Sequence, residues 1–119
     1  MKRTLARPTK DPRKDPRGGL TAAGRAFYNA QGARLRPGVI VVRSLEDVRR
    51  KASFLRRHYF GSHNEAKPLR DAKGRPTRHA LQAQAWGEKA PRTLDDVRRL
   101  ARKGARLLDV YHRIKQGKR

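Results

Sequence analysis

Apolar side chains recur at three- and four-residue spacing in two stretches of the chain, and both stretches read as helices. The longer runs from Leu94 to about Lys115, with Val97, Leu100, Ala101, Gly104, Leu107, Leu108, Tyr111 and Ile114 on one face. Thr93 caps it, and Asp96 stands where a capping box would place Glu or Gln. Gly104 costs about 1 kcal/mol of helix propensity relative to Ala, so its place inside the apolar stripe points to the close approach of another helix. The second stretch begins after Ser44, an N-cap followed by Glu46 and Asp47 in the first turn. Leu45, Val48, Ala52, Leu55 and Tyr59 form its stripe, and Gly61 ends it.

Weaker patterns fill the rest. Thr21 caps a short helix from Ala22 to about Ala30, stopped by Gly32, with Ala23, Ala26, Phe27 and Ala30 on one face. The segment from Arg34 to Gly38 is a turn. Val39 to Val42 is β-branched, but no partner strand is in sight, which favours a buried extended linker. Residues 62–76 read as a loop, with a small hairpin possible around Asp71-Ala72-Lys73-Gly74. Thr77 then caps a third helix from Arg78 to Trp86, with Gly87 as its stop. Residues 1–19 hold seven Lys or Arg, two Asp, and Pro8, Pro12 and Pro16. Lys10-Asp11-Pro12-Arg13 nearly repeats as Lys14-Asp15-Pro16-Arg17. Proline resists helix, so this segment reads as an extended basic arm. The expected fold is mainly α: a single small helical domain of about four helices over 20–119, with a basic Pro-rich arm over 1–19 and a frayed basic end at Lys115–Arg119.

Composition sharpens this picture. Leu, Ile, Val and Phe number 22 of 119 residues, so the core must be small. Lys and Arg number 32 against 10 Asp and Glu, for a net charge of +22. Self-repulsion at that charge opposes a compact isolated state, and a polyanion is the natural neutraliser. The basic set is rich in Arg, whose planar fork binds phosphate with two hydrogen bonds; a GC-rich genome would also favour Arg over Lys.

The candidate contacts follow from position. Arg13, Lys14 and Arg17 lie in the arm, and Arg25 on the first helix. Arg49, Arg50, Arg56 and Arg57 lie beside the second helix's stripe. Arg99, Arg106 and Arg113 stand seven residues apart on the last helix, with Arg102 between them. At 1.5 Å rise per residue this is a row about 20 Å long, able to follow phosphates along a groove. Asp95 and Asp109, four residues before Arg99 and Arg113, would equally serve an ordinary solvated face.

Other chemistry finds little support. The chain has no cysteine, which excludes disulfides and thiolate zinc sites. Its four histidines, His58, His63, His79 and His112, do not form a zinc-hydrolase pattern. Carboxylates fall at helix starts or in ion-pair spacing, with no pair suited to acid–base catalysis. The three serines lack a nucleophile context. No enzyme activity, metal, cofactor, small-molecule substrate or membrane partner is expected. Most aromatics fall on apolar faces and read as core, with Trp86 plugging it. No apolar run of a secretory signal follows Met1, so a cytoplasmic or nucleoid-associated location is expected.

The segments Gly18-Gly19-Leu20-Thr21-Ala22-Ala23-Gly24-Arg25 through Tyr28-Asn29, Ser53-Phe54-Leu55-Arg56-Arg57, and Gly74-Arg75-Pro76-Thr77 followed by Ala80-Leu81 together resemble a family. It is an uncharacterised small basic domain family of bacteria and phages, of unknown function. The resemblance covers about residues 18–87 and places Trp86 at the family's helix-terminal tryptophan. Phage-type members often carry a cysteine after the Ser-Phe pair; Leu55 stands there, so no role for that thiol carries over. The resemblance implies a genuine domain and no particular activity, and it tips the expected partner toward DNA. The expected function is non-enzymatic, largely sequence-tolerant DNA binding through phosphates. The alternatives are a ribosome- or RNA-associated protein and a module for an acidic protein partner.

Overall fold

The computed structural model describes residues 11–117. In chain order their helices are α1 (Ala22–Asn29), α2 (Leu45–Tyr59), α3 (Ser62–Glu65), α4 (Arg78–Leu81), a 3-10 helix (Gln82–Trp86) and α5 (Leu94–Lys115). The protein is mainly helical, as the periodicity predicts, and among the described residues pairing is limited to two isolated antiparallel bridges. The chain forms two compact units. One takes the described residues of Met1–Ile40 with Pro68–Ala90; the other takes those of Val41–Lys67 with Pro91–Arg119. This division does not coincide with an arm over 1–19 and a single domain over 20–119.

The first unit is built on two tight hairpins, each of which feeds directly into a helix cap. In the first, Asp15 N–H donates to the Gly19 carbonyl (3.0 Å), and Gly18 N–H donates to the Asp15 carbonyl (3.0 Å). Lys14 and Leu20 form the bridge. Thr21 N–H donates to the Arg13 carbonyl (2.9 Å) and the Thr21 hydroxyl to the Pro12 carbonyl (2.7 Å). The same hydroxyl oxygen accepts from Gly24 N–H, capping α1. Residues 11–19, expected as extended arm, are therefore folded at least from Asp11 onward. Pro12 and Pro16 sit in turns, where a missing N–H costs nothing. Residues 1–10 of the expected arm lie outside the described residues.

α1 spans nearly the predicted range, but its buried face differs. Gly24 is buried, while Ala23, Ala26 and Ala30 are exposed and Phe27 is 42% exposed. The reason is local: the Arg13 backbone packs so tightly on Gly24 that the helix turns its glycine, not its alanines, inward. Phe27 carries the Arg13 guanidinium 4.5 Å over its ring instead of filling the core.

The expected third helix divides into α4 and the 3-10 helix, closed by Gly87 in the left-handed region. Val39, Ala80, Leu81 and Ala83 are buried. Val39–Val42 contains no strand, in keeping with a linker, though only Val39 of the four is buried.

Acid should loosen these turns. A side-chain hydrogen bond from Arg13, with its backbone N–H adding, holds Asp11 at about 2, against an ordinary 3.8. Asp15 and Asp71 are lowered mainly by backbone N–H groups of Arg17 and Arg75. The unfolded chain takes up these protons first, so each contribution is lost as pH falls; that of Asp11 is intact above about pH 4 and lost as pH falls through about 2. An acid titration followed by circular dichroism should descend over that window, and Asp11→Asn should make the descent shallower. An identical descent in that variant would show that Asp11 does not tie its turn.

In the second unit α2 and α5 pack antiparallel. Arg49 near the start of α2 feels Tyr111 near the end of α5, Leu55 in mid-helix meets Gly104, and Glu65 beyond the end of α2 pairs with Arg98 near the start of α5. Gly104 is the expected point of close approach: a Cβ there would lie 2.8 Å from the Leu55 Cβ. Ala52, Leu55, Tyr59, Val97, Leu100 and Ala101 are buried. Leu107, placed in the same stripe by spacing, is only half-buried, and Ile114 is 55% exposed. Leu55 is fully buried, so Leu55→Ala should cost about 2–5 kcal/mol in urea unfolding.

The loop expected after α2 contains α3, too short to produce a periodic signal. Asn64 there donates to the Arg57 (2.9 Å) and Phe60 (2.7 Å) carbonyls at the end of α2, which have no helical partner of their own.

Candidate nucleic-acid interface

The two long helices start from near copies of one segment, Arg43-Ser44-Leu45-Glu46-Asp47-Val48-Arg49-Arg50 and Arg92-Thr93-Leu94-Asp95-Asp96-Val97-Arg98-Arg99. The caps are built alike. Ser44 and Thr93 accept from the N–H of Asp47 and Asp96 (both 3.1 Å), and those carboxylates accept from the N–H of Arg43 (3.0 Å) and Arg92 (2.9 Å). The carboxylates are thus spent on helix starts, and the arginines that follow are carried onto regular helical positions.

On α5 these positions are consistent. Arg99, Arg102, Arg106 and Arg113 are all exposed. Arg106, nine residues on from Val97, stands about half a turn round from the α2-facing stripe. Arg99 pairs with Asp96 and not with the expected Asp95, because Asp96 is already held at the cap. Backbone N–H donation from Arg92 is the main cause that keeps Asp96 below the ordinary carboxylate range. Arg113 pairs with Asp109 at 3.4 Å. Among the described residues no ion pair engages Arg102 or Arg106. On α2, Arg57 is exposed and likewise has no ion pair there, whereas Arg49 is engaged by Glu46 at 2.5 Å and Arg56 lies 4.6 Å over the exposed Phe60 ring. Arg50 is half-buried.

The first unit distributes its cations differently. Arg13 forks onto Asp11 through Nε (3.0 Å) and Nη2 (3.1 Å), so it serves the fold. Arg25 donates to the Leu20 carbonyl (3.0 Å). Lys14 is exposed, and the Arg17 side chain is 80% exposed while leaning on Asp15.

A second hairpin, Arg70 to Pro76, repeats the first 56 residues later, as Asp71 stands to Asp15. Asp71 N–H donates to Arg75 carbonyl (2.8 Å) and Gly74 N–H to Asp71 carbonyl (2.9 Å). Thr77 N–H donates to Leu69 carbonyl (3.1 Å), its hydroxyl to Pro68 carbonyl (2.8 Å), and its oxygen caps Ala80 N–H (3.2 Å). Every one of these bonds has its counterpart in the first hairpin. Sequence reasoning missed Arg70, Lys73 and Arg75 as candidates. The signal was present as Pro-x-cation-Asp-x-cation-Gly-x-x-Thr at 12–21 and 68–77.

Among the described residues no cluster of His, Asp and Glu is placed to hold a metal ion, and no helix is long and apolar enough to cross a membrane. The chain is thus a strongly basic, mainly helical protein with a hairpin-built first unit and an antiparallel helix pair. It belongs to the family described as Domain of unknown function (DUF6321), whose model matches residues 13–86. That match begins inside the first hairpin and ends with the 3-10 helix, leaving α5 outside it. No curated protein and no solved structure matches the chain.

Proposed function

We propose that this protein binds nucleic acid, DNA in the first place, by Arg and Lys contacts to backbone phosphates, without reading base sequence and without catalysing a reaction. The observation that carries the reading is the line of four exposed arginines on α5, turned away from the helix partner, in a chain of net charge +22. A row about 20 Å long matches several successive phosphates, and phosphate contacts position a protein without specifying sequence.

The test is salt. Against a mixed-sequence DNA duplex, log affinity should fall linearly with log salt, with a slope near −0.9 for each phosphate neutralised. Several phosphates should be engaged, and unrelated duplexes should bind alike. A flat salt response rejects the reading and favours an acidic protein partner through specific contacts. A pull-down with separate DNase and RNase treatment decides the polymer: loss of retention with RNase alone would replace DNA by RNA.

A further inference from the structure

The hairpin turn makes definite demands on its sequence. It uses an Asp to accept backbone N–H groups and a glycine at positive φ to close, here Gly18 and Gly74. The backbone of the turn makes no demand for charge at the residue just before that glycine, although in the first copy Arg17 also leans on Asp15 at 3.3 Å. Yet that residue is cationic and exposed in both copies, Arg17 and Lys73. The residue before the Asp is also cationic and exposed in both, Lys14 and Arg70. Arg70 Nη1 reaches back to the Gly74 carbonyl (3.1 Å), which holds it over its own tip.

The first tip is also tied to α4, the helix that the second hairpin caps. Arg78, the first residue of that helix, forks onto the first hairpin: Nη1 donates to the Asp15 carbonyl (2.6 Å) and Nη2 to the Gly19 carbonyl (2.7 Å). Gly18 lies against the Leu81 carbonyl at the end of the same helix, where even a Cβ would have no room. A cation on a tip held this way loses less freedom on binding than one on a loose loop.

We propose that the two hairpin tips are equivalent phosphate-contact sites, Arg17 with Lys14 on the first and Lys73 with Arg70 on the second, each taking a backbone phosphate of nucleic acid. This rests on the phosphate-binding reading above and adds the first unit, and in particular residues 70–73, to the binding surface.

The experiment compares Arg17→Gln, Lys73→Gln and their double variant on a mixed-sequence DNA duplex across a salt series, beside a variant of the α5 row. Each single change should shrink the salt slope by about one unit and the double by about two, with parent-like melting. Lys73→Arg, which keeps the charge, should hold the parent slope. If Lys73→Gln keeps the parent slope while the α5 variant loses slope, the tip sites are overturned and phosphate binding stands. If Lys73→Arg falls as far as Lys73→Gln, the position serves the turn and the tip site is likewise overturned. If the parent itself shows no salt dependence, both readings fall together.

Discussion

Replacing Gly24 by alanine is expected to destabilise the first unit by about 1–3 kcal/mol, although the change places the best helix former in α1. Propensity alone predicts a gain of about 1 kcal/mol. Geometry decides the sign. A Cβ at Gly24 would stand 2.1 Å from the Arg13 carbonyl oxygen and 2.9 Å from its carbon. Both are backbone atoms, so no rotamer change can relieve the contact, and the first hairpin must lift off α1. That oxygen accepts from Thr21 N–H, and the neighbouring Pro12 carbonyl accepts the Thr21 hydroxyl. Lifting the hairpin weakens both bonds, each worth about 1 kcal/mol. Gly18→Ala should be worse, since its Cβ would stand 2.0 Å from the Leu81 carbonyl and its φ of +127° is strained for any side chain. Urea unfolding measures both variants. A Gly24→Ala protein as stable as the parent would mean that the hairpin does not rest on α1.

The elements that carry a long period or a cap were legible from the chain. Thr21, Ser44, Thr77 and Thr93 all cap where expected, and α2 and α5 run over nearly their predicted ranges. The first hairpin was not legible, for a physical reason. Pro12, Pro16 and the four-residue near-repeat look like an extended arm, because the hairpin's stability comes from contacts remote in sequence. Arg78 is 63 residues from Asp15, and no local pattern reports that bond. Amphipathic spacing misled at α1 for a related reason: Gly24 contributes nothing to an apolar stripe, yet it marks the buried side. On the site, spacing placed the arginines of α5 on one exposed face, while it gave no sign that Arg13 is gripped by Asp11 and stacked on Phe27. The second hairpin's cations belong to no local repeat, since the matching copy lies 56 residues away, as Asp71 does from Asp15.

Changing Arg99, Arg106 and Arg113 together to Gln should cause the largest single loss of binding. Gln keeps good helix propensity, so α5 should persist. Three charges leave the row at once. If each faces a phosphate, the salt slope should shrink by up to about three units, and affinity should fall about equally for all duplex sequences. Stability should move little. Arg99 loses Asp96 and Arg113 loses Asp109, but these arginine side chains are 60% and 65% exposed, and exposed pairs are worth at most about 1 kcal/mol each. Arg106 has no such pair to lose among the described residues. The contrast with Leu55→Ala separates the two roles: one variant should bind poorly and melt like the parent, and the other should melt early. A triple variant that binds like the parent would reduce the row to a solvated face, and binding would then have to come from α2 or the first unit. A triple variant that unfolds would mean that these arginines hold the helix pair together, against their exposed positions on the side of α5 away from Gly104 and Leu55.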